Sequence, residues 1–431
     1  MFNNSKIAIY LTCSRTNYAS KVAYAILFLF LFNSDTLLSQ TDLNHFILSA
    51  WYDSSYAKME SIAKYRSDHT QKLKWLDRIE FRTQTDELDL SREQYGLRFI
   101  SAKPSEIKYT SQLNRVQQKY YQALAEDELH QAILVKYKVI TEYIHLLRDQ
   151  AALQEWQALY AKKNNYLESL FTNQLNTDVK DLIQSFRKKE TSALKQNEIN
   201  RKLEVLKSKY GYAPSIEPDK IISIDEIKSF LASGTDIPMP KDKNYARAVY
   251  DLEKTQLEKQ QIKNSRWDML DFIQARWQDR PNDILFRQKF GLGAGIKLPY
   301  SGSQKRDANQ NLFETFLLNQ QISQLEYDYN QKKQFLKQEL SALIDQYESE
   351  KQKLHEFMSK YDASRLATSS LVTPSDLLYL EESILEWKED ILKIEHSILD
   401  KYISYIGHLR LISNTNPLRN MLIKGMPEII K

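Results

Sequence analysis

The chain has 431 residues, with 60 Lys and Arg against 56 Asp and Glu, seven His and one Cys. A net charge of +4 is too small for a nucleic-acid footprint, and 27% charged with 42% hydrophobic residues excludes a disordered polyelectrolyte. Nine Gly and ten Pro are about a third of the usual share, so the chain consists of a few very long elements rather than many short ones.

Val22 to Phe32 is an unbroken apolar run preceded by Lys6, Arg15 and Lys21. A spanning helix needs about 20 apolar residues, whereas a secretory h-region needs only about 7–15 behind positive charge. We therefore expect residues 1–39 to be a signal peptide cut after Ser39 or Gln40; a buried N-terminal helix is the alternative. Cys13 lies upstream of the run and cannot carry a lipid anchor after cleavage. Its loss would leave a mature chain without cysteine, held by packing alone.

Next come two strand patterns. Trp75 to Thr83 and Tyr95 to Ser101 are expected strands, although Arg98 and Lys103 interrupt the apolar alternation. From Ser105 to Tyr210 there is neither Gly nor Pro. Leu113, Val116, Tyr120 and Leu124, then Ile133, Tyr137, Ile140, Ile144 and Leu147, keep spacings of three and four, the seam of a long amphipathic helix. The run breaks at Asn173 to Asp181, where Asp178 can cap a returning helix. From Ser105 to this tip is about 68 residues, roughly 100 Å of helix. Gly211 to Asn244, with Pro214, Pro218, Gly234, Pro238 and Pro240, reads as an irregular connector.

The second half repeats the plan. Arg266 to Gln278 is an expected strand, joined by a Pro-Asn-Asp turn to a second one. In that strand Phe290, Leu292, Ala294, Ile296 and Leu298 alternate with Lys289, Gly291, Gly293, Gly295 and Lys297, the period-two pattern of a strand between lipid and a lumen. Leu336, Leu340, Leu343, Tyr347, Leu354, Phe357 and Tyr361 form a second helical seam. It breaks near Ser369 to Asp376, where Thr373, Pro374 and Asp376 offer a hydroxyl cap, a first-position proline and a first-turn carboxylate.

The pairs Gly96 and Gly291, Pro104 and Pro299, and Asp181 and Asp376 are all 195 residues apart. The chain is thus an internal duplication of strand, strand, long helix, tip and helix. The expected divisions are a first repeat at 40–212, a connector at 213–244, a second repeat at 245–412 and a C-terminal tail at 413–431. Four strands cannot close a barrel, and open edges are not tolerated in lipid, so strands that span a membrane must be pooled between copies. The fold class is mainly α with transmembrane β, the duplicated units pooling into a β-barrel continued by an α-helical barrel. Trp75, Trp267 and Trp277 fall in expected strands, where an aromatic belt would place them beside Phe290, Leu292 and Ile296; ordinary core is the other reading.

Phe290 to Arg306 (FGLGAGIKLPYSGSQKR) resembles the strand-to-helix signature of TolC-like outer-membrane efflux proteins, and Leu371 to Leu409 resembles that family's threonine–aspartate tip and following helix. The resemblance implies a homotrimer with a twelve-stranded barrel in outer-membrane lipid and a helical tunnel across the periplasm. It also implies tips that open when a periplasmic adaptor (membrane fusion) protein and an inner-membrane pump engage them. On that likeness, Asp376, Thr373, Asp181 and Asp178 are gate residues, and Leu371, Val372, Leu175 and Asn176 adaptor contacts. The second tip departs from the family pattern: Ser370 replaces Gly, and Tyr379 stands where a second gate carboxylate is expected. For Asp376 alone, a first-turn helix charge is an equally good reading.

No two histidines have ligand spacing, there is no CxxC, and Gly291, Gly293 and Gly295 continue into strand instead of opening a nucleotide loop. No nucleophile motif or P-loop is present, so no enzyme, metal or cofactor is expected. The competing class is a non-channel periplasmic coiled-coil protein such as an adaptor, which should carry one central hairpin rather than two.

Overall fold

The computed structural model describes residues 43–70, 74–85, 93–173, 179–210, 220–233, 242–265, 268, 270–279, 288–296, 301–361, 372–414 and 419–428. The expected signal peptide and the connector on either side of residues 220–233 lie outside them. After a short 3₁₀ turn at Ser49–Tyr52, the elements are α1 (Ser54–Asp68), β1 (Leu76–Thr85), β2 (Glu93–Ser101), α2 (Pro104–Thr172) and α3 (Val179–Tyr210). They are followed by α4 (Ile224–Ala232), α5 (Lys243–Ser265), β3 (Leu270–Asp279), β4 (Gln288–Ile296), α6 (Ser301–Lys360) and α7 (Pro374–His408), with a last helical turn at Leu411–Asn414.

The long helices follow from what the sequence leaves out. Pro104 fixes φ where the first helical residue needs no donor, and the next interruption comes only after 69 residues. At 1.5 Å per residue α2 is about 100 Å long, and the 60-residue α6 about 90 Å. Each packs on shorter helices. Towards the tips α2 packs on α3 and α6 on α7; elsewhere α2 packs on α1 and α5, and α6 on α5.

The core sits where α2, α6 and α7 come together. Ile133, Tyr137, Ile140 and Ile144 from α2 meet Leu336, Leu340 and Ile344 from α6 and Ile398, Tyr402, Ile403 and Ile406 from α7. Each such side chain buried whole contributes about 1.5–3 kcal/mol. Both tyrosine hydroxyls are used: Tyr402 donates to the Met421 carbonyl at 3.1 Å, and the Tyr137 oxygen accepts from the Met421 amide at 3.1 Å.

Two segments differ from the sequence expectation. Within the stretch read as an irregular connector, Ser223 and Glu226 form a capping box that starts α4, and Ile227 and Leu231 bury its inner face. The C-terminal stretch is not a free tail: Asn420, Met421 and Leu422 are buried, and Ile221 and Ile423 form a β-bridge. The apolar Met421-Leu422-Ile423 triplet closes the core from the chain end.

The four strands form one antiparallel sheet in the order β1-β2-β3-β4. The sequence pairs β1 with β2 and β3 with β4; the structure adds β2 to β3, joining the two halves through partners such as Tyr95 and Trp277. The strand limits shift by one to four residues from those read in the sequence. Matching register shifts fall between Leu76 and Arg78 and between Leu270 and Phe272, 194 residues apart. Among the described residues no helix is long and apolar enough to cross a membrane.

Candidate functional site: a two-faced sheet and the helix ends

Strand register sorts the sheet's side chains into rows, because neighbours paired across strands share a face. One face carries Ile79, Phe99, Ile273 and Ala294 in one row; Phe81, Leu97, Ala275 and Leu292 in the next; and Thr83, Tyr95, Trp277 and Phe290 in the third. The other face carries Glu80, Arg98, Gln274 and Gly293, then Arg82, Gly96, Arg276 and Gly291. One surface is therefore apolar across all four strands; the reverse carries most of the charged side chains, with Ile100 and Phe272 between Arg78 and Gly295 in the row nearest the long helices.

Among the described residues nothing covers the apolar face. Phe290, Leu292 and Ile296 are 69, 76 and 67% exposed, and Ile79, Phe81, Leu97 and Ile273 are exposed as well. In the third row Tyr95 stacks on Trp277 at 5.7 Å between ring centroids and on Phe81 at 6.1 Å, an aromatic band near the end of the sheet where β1 and β3 finish and β2 and β4 begin. Trp75 stands exposed just before β1, at the opposite end of the sheet. Trp267 lies outside the described residues. Arg98, which breaks the alternation in the sequence, is on the polar face, 3.6 Å from Asp271 and 4.0 Å from Glu80, with its guanidinium over the Phe272 ring.

Strands β1 and β4 are the free edges of the sheet, each hydrogen-bonded on one side. Strands of nine or ten residues, tilted as in a barrel, cover the roughly 25 Å apolar band of an outer-membrane bilayer. In lipid, an unpaired edge would cost several kcal/mol for each orphaned backbone group.

At the other end, Thr373 caps α7. Its hydroxyl accepts from the Asp376 amide at 3.3 Å and donates to the Asp376 carboxylate at 2.7 Å, and its own amide donates to that carboxylate at 2.9 Å. The side-chain bond first and the backbone bond second hold the Asp376 carboxyl below the usual carboxylate range. Val372 is half-buried next to the cap, and Asp181 is exposed in the first turn of α3. Leu371, Leu175, Asn176 and Asp178 lie outside the described residues. Tyr379 is exposed, with the Lys163 ammonium 5.0 Å from its ring centre.

A knot of charge above the tips was not found from the sequence. The Glu382 side chain, only 7% exposed, takes Lys163 of α2 at 2.6 Å and Lys188 of α3, tying both helices to α7. Burial would raise its carboxyl, but the two lysine bonds outweigh burial and leave it lowered. The one sequence signal was a carboxylate on the apolar seam Leu378–Glu382–Leu385. Further along, His145 and His396 stack with ring centroids 4.0 Å apart, His145 bonded to Asp400 at 3.1 Å. Burial, then the neighbouring His145 and Arg148, push His396 down to about 3. Their 251-residue separation hid this pair from spacing rules. No group of three metal-binding side chains occurs among the described residues.

No family profile and no curated relative matches the sequence. Solved structures do match in shape. The outer-membrane protein VceC of Vibrio cholerae is 12% identical with a TM-score of 0.57, over 85% of this chain and 95% of that one. CusC, whose structures concern folding and transmembrane channel formation, gives 11% and 0.53 over 85% and 92%. The CmeC outer-membrane channel of Campylobacter jejuni gives 12% and 0.50 over 86% and 84%. At these identities the likeness speaks for the fold, which is that of the TolC-like outer-membrane efflux channels.

Proposed function

We propose that this chain is one protomer of a homotrimeric outer-membrane channel, the passive exit duct of a tripartite efflux or type I export system. Residues 1–39 direct export and are removed. The four strands of each protomer join those of two others in a twelve-stranded barrel, and the repeats at 40–212 and 245–412 supply the helices of a periplasmic tunnel. The helix ends near Asp181 and Thr373–Asp376 serve as gate, and Leu371, Val372, Leu175 and Asn176 as adaptor contacts.

The observation that carries this reading is the sheet. Its apolar face is exposed across all four strands, and both of its edges are free. In water that surface would be an aggregation liability; in lipid, with copies closing the edges, it is a barrel wall. The charges lie on the reverse face, where a lumen requires them. A periplasmic adaptor has no use for such a sheet, and the element order here has two long helical hairpins, each preceded by a strand pair.

Membrane fractionation tests the proposal. The mature chain is expected in the outer-membrane fraction, extracted only by detergent. Recovery as a soluble periplasmic protein would defeat it.

A further inference from the structure

The row Arg82, Gly96, Arg276, Gly291 is unlike the rest of the polar face. Arginine and glycine alternate across the four strands at one level. On the β4 side glycine leaves Arg276 unobstructed, since a Cβ built on Gly291 would meet nothing within 4 Å; over Gly96, between the two arginines, lies the Gln274 amide. Arg276 is exposed, has the Gln274 amide oxygen at 3.4 Å, and makes no ion pair among the described residues. Arg82 shares Glu80, at 2.8 Å, with Arg78 at 3.0 Å and Arg98 at 4.0 Å. In the two central rows Glu80 is thus the one carboxylate against Arg82, Arg98 and Arg276, an excess of two positive charges per chain.

Resting on the trimeric-barrel reading above, we propose that Arg82 and Arg276 of three chains form a guanidinium ring that binds multiply charged anions in the barrel lumen. The cargo favoured at this level is small and bears several sulfonate, phosphate or carboxylate groups. The physical reason is geometric. Guanidinium presents paired donors to planar or tetrahedral oxyanions, cannot lose its proton, and is more weakly hydrated than an ammonium. Rings of Arg select for anions in pores because the wall holds the charges at fixed positions facing a confined path. The row sits on the hairpin side of the sheet, beside the Trp277 band, and the long helices leave from the opposite end. The ring therefore lies towards the outer mouth, far from the carboxylates at the helix tips, and the duct changes sign along its length.

The test uses the full chain purified in detergent, with its oligomeric mass measured by light scattering. The probe is the trisulfonated dye 8-hydroxypyrene-1,3,6-trisulfonate, followed by fluorescence anisotropy. A particle of three chains should bind the dye, more weakly as salt rises. The Arg82→Gln/Arg276→Gln pair should lower affinity about tenfold or more. The Arg82→Lys/Arg276→Lys pair, which keeps the charge but loses the paired donors, should recover only part of it, and Arg247→Gln/Lys259→Gln, exposed on α5 away from the sheet, should change nothing. A three-chain particle that does not bind the dye, or whose double Gln variant binds equally well, overturns the ring. A particle of one chain overturns the barrel reading, and the ring with it.

Discussion

The middle of the molecule and its sheet are opposite solutions to the same problem of apolar surface. Between α2, α6 and α7, Ile133, Tyr137, Leu340, Ile398, Tyr402 and Ile406 are fully buried, and the tyrosine oxygens find partners in the returning C-terminal segment. In the sheet, residues of the same kind, Phe81, Phe290, Leu292 and Ile296, are exposed. A single chain therefore completes its own core at the middle and leaves the apolar face of its sheet exposed, a face that the proposed barrel would complete with lipid and other copies. Stability should come from the first region, and location and assembly from the second.

The largest effect is expected at the middle. Tyr402→Ala removes a buried ring and leaves the Met421 carbonyl without its donor, at a cost of about 3–5 kcal/mol. Thermal unfolding followed by circular dichroism should show the loss, with helix melting at a clearly lower temperature. A change smaller than about 1 kcal/mol would mean that this core does not hold the helices together.

In the sheet the same chain should respond to face rather than to size. Leu292→Arg puts a charge on the apolar face, worth about 2–4 kcal/mol per chain near a bilayer midplane. Gly293→Ser, one residue on and facing the other way, meets open space and should be neutral. The measurement is the amount of protein recovered in the outer membrane. Equal recovery of the two variants would erase the distinction between the faces.

Acid acts on the helices through buried histidines. His396 titrates near 3 in the fold against 6.5 for a free imidazole, so its neutral form is the native one. The unfolded chain then binds the extra proton, and stability falls as pH drops from about 6.5 towards about 3. Burial lowers His130 in the same way, to about 4. His396→Gln should make the melting temperature less dependent on pH across that window. An unchanged slope would show that the stacked pair is not the acid-sensitive element.

The smallest effect on stability is expected at the tips. Asp376→Ala removes the reciprocal half of the Thr373 capping box, about 1 kcal/mol at most. Its consequence should be read in planar bilayers, as altered conductance and weaker cation preference once the constriction loses its charge. Unchanged conductance and selectivity would leave Asp376 as a helix cap alone.

How much of this was legible in the sequence depends on how far apart the partners are. Pro104, the long tract without Gly or Pro, and the Thr373–Pro374–Asp376 start act over a few residues, and the helices begin and end near where they indicate. The alternation around Leu292 gave both the strand and its two faces. By contrast, the pairing of β2 with β3, the Glu382 knot and the His145–His396 stack join residues some 180 to 250 positions apart, and nothing local encodes them. Arg98 is the instructive case. Read along one strand it spoils a pattern, but read across the sheet it belongs to a row of polar side chains.

The central claim is that β1 of one copy pairs with β4 of the next. Within a chain these two edges are separated by three strand spacings, about 14 Å, beyond the reach of a disulfide. Single cysteines at Ile79, Phe81 or Thr83 combined with one at Phe290, Leu292 or Ala294, oxidised in intact membranes, test it directly. The account predicts that one register among these pairs yields species of two and three linked chains on a non-reducing gel. Single chains alone, in every combination, would contradict it.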